Sequence, residues 1–137
     1  MNRGHINIII EEGKTPLIEA QLVDNNILLT KSEMAHLFGC FYQKIDANIR
    51  SIFKNRLLIE NEVSYTHRYT DKGIEKQIDY YGLEVLIFLS YRIETFQTKI
   101  FRQFLFAVLR EHFQRKETEK CTKLIWYFRN NQNYWLN

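Results

Sequence analysis

Long apolar runs are missing from this 137-residue chain. No stretch approaches the ~18 consecutive apolar residues of a membrane span. The start, MNRGHINIII, has a short apolar core rather than the longer run that export requires. Cysteine is scarce, with Cys40 and Cys121 far apart in sequence, so no disulfide framework is indicated and a reducing cytoplasm is the default compartment. Cys40 falls at an inward-facing turn position and reads as a small buried hydrophobe. Five glycines stand singly, which excludes a glycine-rich phosphate loop. Four histidines, His5, His36, His67 and His112, pair with no cysteine at metal-ligand spacing and read as surface or edge residues. Ser32, Ser51, Ser64 and Ser90 lie in no nucleophile elbow, and the acidic residues form no cluster suited to a two-metal nuclease. The chain is therefore not expected to be an enzyme or to carry a metal, a cofactor or a small-molecule substrate.

Apolar residues are plentiful, at 45%, with ten Phe, eight Tyr and two Trp, enough to bury a core in one domain of ordinary size. The formal net charge is only +3, so its distribution says more than its sum. Residues 1–30 hold two basic and four acidic side chains, residues 31–56 five and two, and residues 92–116 six and two. Positive charge gathers in two segments, and the first of them contains the most informative pattern in the chain.

That pattern runs from Thr30 to Phe53. Thr30 and Glu33 have the spacing of a capping box, in which each side chain meets the other residue's free backbone N–H. Met34, Leu37 and Phe38 mark one face of a first helix, and Gly39 follows where a helix end needs a left-handed residue. A second helix starts near Tyr42 and places Ile45, Ile49, Ile52 and Phe53 inward. Ala35, Gly39 and Ile45 allow close packing at a steep angle, the geometry of a helix-turn-helix. In such a unit the second helix enters the DNA major groove. The candidate base-reading and phosphate-holding residues are Lys31, Ser32, Tyr42, Gln43, Lys44, Ala47, Arg50 and Lys54. Gln43 can offer paired hydrogen bonds to a base edge. A glycine between two amphipathic helices also describes any helical hairpin, so the pattern alone leaves both readings open.

Around this unit the coarse expectation is α+β. His5–Glu12 and Leu17–Val23 read as strands, Asp24-Asn25-Asn26 as a turn, and Ile27–Leu29 as a short third strand of a small antiparallel sheet. Val63–Thr70 and Ile74–Tyr81 flank Asp71-Lys72-Gly73 as a β-hairpin. Placed after the second helix it is a candidate wing, with Arg68, Lys72 and Lys76 near its tip; the plainer reading is that it only covers the core. Leu83–Tyr91 reads as a buried helix. A long amphipathic helix over about 95–115 carries Phe96, Ile100, Phe101, Phe104, Leu105, Val108, Leu109 and Phe113 as its apolar stripe, with Arg102 off it. Residues 1–116 are thus expected to form a winged helix-turn-helix-like domain. Residues 117–137 form an aromatic tail that packs on it or on another chain.

Four stretches carry a likeness to a known family: LTKSEMAHLFG at Leu29–Gly39, QKIDANIRSIFKNRLL at Gln43–Leu58, TDKGIEKQIDYYGLEVLI at Thr70–Ile87, and YRIETFQTKIFRQFLFAVLREHF at Tyr91–Phe113. Together they resemble the N-terminal part of the RhuM family, prokaryotic proteins often grouped with mobile elements. More distantly they look like the Bro-N and KilA-N domains of phage antirepressors. The resemblance implies binding of double-stranded DNA, in a transcriptional regulator or a mobile-element accessory protein. The chain departs from the family's pattern at Phe96, Gln97 and Thr98, where relatives have a basic, glycine-containing loop, and at Phe104, where Trp is common. The competing expectation is a protein-interaction module that forms a homodimer through the long helix and the tail.

Overall fold

Thr30 opens the first helix as its spacing predicts. Its hydroxyl accepts from the Glu33 N–H at 3.1 Å, while the Glu33 carboxylate accepts from the Thr30 N–H at 2.8 Å. The computed structural model describes residues 2–116. Within them the order is β1 (His5–Ile9), β2 (Leu17–Gln21), α1 (Lys31–Phe38), α2 (Tyr42–Lys54), α3 (Glu60–Val63), β3 (Ser64–Asp71), β4 (Ile74–Tyr81), α4 (Leu83–Arg92) and α5 (Phe96–Lys116). The class is α+β, with two separate two-stranded antiparallel sheets, β1–β2 and β3–β4. The chain divides into two compact units, Met1–Phe106 and Ala107–Asn137. The aromatic tail expected over 117–137, and Cys121 with it, lie outside the described residues. No helix among the described residues is long and apolar enough to cross a membrane.

The core of the first unit is built from alternate helix turns. Met34 and Phe38 of α1, Ile45, Ile49 and Ile52 of α2, Val85, Leu86 and Leu89 of α4, Ile93, and Phe101 of α5 form one buried cluster with Ile27, Leu29 and Tyr81. Phe38 meets Phe101 edge to face at 5.5 Å, a geometry that ring quadrupoles favour. Burying each such side chain contributes about 1.5–3 kcal/mol. These contacts hold one side of α2 against α1 and α4 and leave its other side outside.

Long-range polar ties complete the frame. Arg3 clamps Glu33 with both terminal nitrogens, at 2.8 and 3.2 Å, and also donates to the Leu28 carbonyl. Asn26 accepts the Leu83 N–H at 2.9 Å, a cap for α4 supplied from 57 residues away because Gly82 has no side chain to offer. Thr95 and Thr98 exchange hydroxyl and backbone bonds at the start of α5, which satisfies the fully buried Thr98.

Three expectations need correction. Ile27–Leu29 forms no third strand: only Leu29 pairs, exchanging both backbone bonds with Tyr81, before Thr30 turns the chain into α1. Cys40 is half-buried rather than buried, and desolvation pushes its thiol pKa up, with Lys44 opposing. Of the expected α5 stripe, Ile100 and Phe101 are buried and Leu105 packs on the core, whereas Phe96, Val108 and Leu109 are exposed. Arg102 is drawn in: it donates to the Ser90 carbonyl at 2.5 Å and to Glu94 at 2.7 Å.

Candidate nucleic-acid interface

The turn between α1 and α2 sets the site. Gly39 sits at φ 63°, ψ 42°, its N–H bonded to the His36 carbonyl and the following Cys40 N–H to the Ala35 carbonyl. Only a residue without Cβ adopts this left-handed closure at no steric cost. The chain therefore leaves α1 abruptly and starts α2 two residues later.

On α2, Gln43, Ala47, Arg50 and Lys54 recur at about one-turn spacing and are all exposed. They form a single stripe along the side opposite Ile45, Ile49 and Ile52. Lys44 is exposed beside this stripe. On one flank the Asp46 carboxylate takes two cations, Lys31 Nζ at 2.6 Å and Arg50 at 2.8 Å. The hydrogen bond from Lys31 is the main reason the Asp46 pKa is lowered; burial opposes it, and the charges of Lys31 and Arg50 add to it. For Lys31, burial disfavours the ammonium, but the Asp46 hydrogen bond with the nearby Tyr81, Asp46 and Tyr42 outweighs it and raises the pKa. On the other flank Arg92, at the end of α4, donates to Asn48 at 3.1 Å and to Ser51 at 2.8 Å. Both flanks are thus fixed by charge-assisted bonds, while the stripe between them stays open.

The cluster extends to the hairpin at one place. Lys31, Ser32 and Tyr42 line, together with Thr30, Gln77, Ile78, Asp79 and Tyr81, a cleft of about 210 Å3 between the start of α1, the start of α2 and β4. Lys31 lies 5.8 Å from the Tyr81 ring, and Phe53 stacks on that ring from α2. Arg68, Lys72 and Lys76 are exposed and do not line this cleft. Arg68 donates across the ladder to Gln77 at 2.9 Å, and Lys76 pairs with Asp71 at 3.0 Å. Lys72 occupies the two-residue turn with Gly73, both at positive φ (51° and 79°). A larger hollow of about 730 Å3 lies between β1 and α1 and takes in Ser32 alone of the candidate residues.

Sequence reasoning missed three members of this surface. Arg92 and Asn48 carry no local signal, because their bond joins residues 44 apart. Phe41 did carry one: it stands where α2 needs an N-cap, makes no side-chain cap bond, and is 83% exposed. Arg56 lies beyond the end of α2, at φ 55°. Compared with protein-family models, with curated proteins and with solved structures, the chain finds no match.

Proposed function

We propose that this chain binds double-stranded DNA as a winged helix-turn-helix-like domain, laying the open stripe of α2 into the major groove. The observation that carries this reading is the two-sided character of α2. Its apolar side is locked into the core, and its polar side offers Gln43, Arg50 and Lys54 at helical spacing between two braced flanks. An α-helix fits the major groove, where base edges differ in their donors and acceptors. Lys44, Lys54 and the turn cation Lys72 would hold phosphates. Exposed Ser32 and half-buried Lys31, at the start of α1, would meet the adjoining backbone. Arg68, Lys72 and Lys76 make the β3–β4 hairpin the wing. The resemblance to the RhuM family points the same way, toward a regulator or mobile-element protein.

The test is a salt series of fluorescence anisotropy on random-sequence duplex, followed by selection from a duplex library. Alanine at Lys44 or Lys54 should weaken binding to every duplex and lower the salt slope by about one. Alanine at Gln43 should relax sequence preference at one position, at a cost of ~1–3 kcal/mol. Binding indifferent to all three substitutions at low salt would end this docking.

A second reading rests on a separate observation. In the second unit, Val108 and Leu109 of α5 are each about half exposed, which suits a homodimer contact. Lysine at both positions should then lower the mass seen by light scattering, and an unchanged monomer would remove the idea.

A further inference from the structure

Phe41 is the most exposed large apolar side chain reported for the described residues, at 83%. It makes no ring contact among the described residues and gives α2 no cap bond. A serine, threonine, aspartate or asparagine there would bond a free N–H of the first turn. The phenyl ring of Phe41 nevertheless stands at the end of α2 that a helix presents first to the groove.

The neighbours of Phe41 supply the chemistry. Gln43 and Ala47 are the first open positions of the stripe, and Phe41 precedes it as the N-cap residue. Glutamine matches the N6 and N7 pair of adenine, and the small or aromatic apolar groups of alanine and phenylalanine match the thymine methyl. The groups that read G·C pairs are engaged or lie away from this end of the helix. Asp46, the acid that could accept from cytosine, already holds Lys31 and Arg50, while the open cations of the stripe, Arg50 and Lys54, lie in its second half. Lys44 lies about 100° round the helix from Gln43, toward the backbone side.

We infer that the N-terminal end of α2 selects A·T base pairs, with the N-cap Phe41 and the helical Ala47 against thymine methyl groups and Gln43 on adenine. This rests on the duplex-DNA reading above. Lys44 and Lys54 on the same helix supply the charge that brings a polyanion to this surface rather than an apolar partner.

Uracil differs from thymine in the major groove by the methyl alone, so it isolates the contact. A duplex recovered from a random library by the wild-type chain is compared with the same duplex carrying uracil for thymine, on the wild type and on Phe41→Ser. The recovered site should be A·T-rich. Uracil should weaken wild-type binding about fourfold for each methyl contacted, and should weaken the Phe41→Ser variant by less. That variant should meanwhile melt about 4 °C higher, because serine caps α2. A gain in melting temperature together with a loss of affinity separates a DNA contact from a structural role. If the wild type retains no duplex at all, the DNA reading fails and takes this inference with it. If it retains duplex but uracil changes nothing, or the recovered sites are G·C-rich, the A·T inference alone is overturned. A Phe41→Ser chain that melts higher and binds as before overturns it equally.

Discussion

Two consecutive helices, α1 and α2, end in the same hydrogen-bond motif and differ in how well their residues suit it. In both, a left-handed residue follows the helix, one position past its end in α1 and two past it in α2, and two N–H groups reach back to carbonyls in the last turn. In α1 that residue is Gly39, and the opposite end has the reciprocal Thr30–Glu33 cap. In α2 it is Arg56, whose N–H bonds to Phe53 while Leu57 bonds to Ile52, and the opposite end has the uncapped Phe41. A helix that follows local rules at both ends is specified by its own stability. A helix that departs from them at both ends, with large exposed side chains in the poor positions, is shaped by something outside the fold. The departures fall on the helix with the open stripe, which is why α2 rather than α1 is the proposed reading element.

The largest effect should separate the two sides of α2. Ile49→Ala removes a fully packed side chain and should lower stability by about 2–4 kcal/mol. The adjacent Arg50→Ala should change it by less than about 0.5 kcal/mol, since its pair with Asp46 is an exposed one. Urea denaturation of both variants measures this directly. Comparable losses would mean the stripe is part of the core, and the contrast between the two sides would dissolve.

Next in size is the cap of α1. Thr30→Ala should cost about 1 kcal/mol, whereas Phe41→Ala, which removes no cap bond, should cost little. The acid end of the same motif gives an independent check. The Glu33 pKa is lowered, first by the hydrogen bonds from Arg3, with burial opposing and Thr30 assisting. A depressed carboxylate adds stability that is fully present above its unfolded pKa of about 4 and is lost as the pH falls through the lower folded value. Asp46 acts in the same sense. Melting temperature should therefore fall below about pH 4 in the wild type, and fall less steeply in Glu33→Gln. An equal acid slope in both would remove Glu33 from the account.

Much of this was legible in the residues themselves. The Thr30–Glu33 spacing, Gly39, the Ile45–Ile49–Ile52 face and the hairpin around Lys72-Gly73 are local signals with local causes, and each appears where the pattern puts it. What stayed hidden depends on partners far away in sequence. Arg3 reaches Glu33 across 30 residues, Asn26 caps α4 across 57, and Arg92 braces α2 across more than 40. Arg102 gave no sign of its partner, because its acceptor, the Ser90 carbonyl, is a backbone atom with no sequence signature. The four-residue α3 has no apolar repeat long enough to read. The stripe of α2 was readable, but its openness depends on what does not pack against it, which periodicity cannot report.

The smallest effect tests the comparison most directly. Four residues other than glycine have positive φ among those described: Asp24, Asn25, Arg56 and Lys72. Asp24 and Asn25 tolerate that region through their short polar side chains, so their turn needs no explanation. Arg56 and Lys72 do not, and both are cations on elements of the proposed interface. Arg56→Gly should raise stability by about 0.5–1 kcal/mol through relief at the α2 terminus. Lys72→Asn should raise it by a few tenths to about 0.5 kcal/mol, because an Asn-Gly pair suits a turn with both central φ angles positive. If these cations are kept for phosphate, each variant should also bind duplex more weakly, with a salt slope reduced by about one. Variants that are more stable and bind as well as the wild type would show that the two residues are merely tolerated, and the irregular ends of α2 would lose their bearing on DNA. Stability and affinity moving in opposite directions at Phe41, Arg56 and Lys72 alike would mark one surface, because no single packing defect links a helix start, a helix end and a hairpin tip.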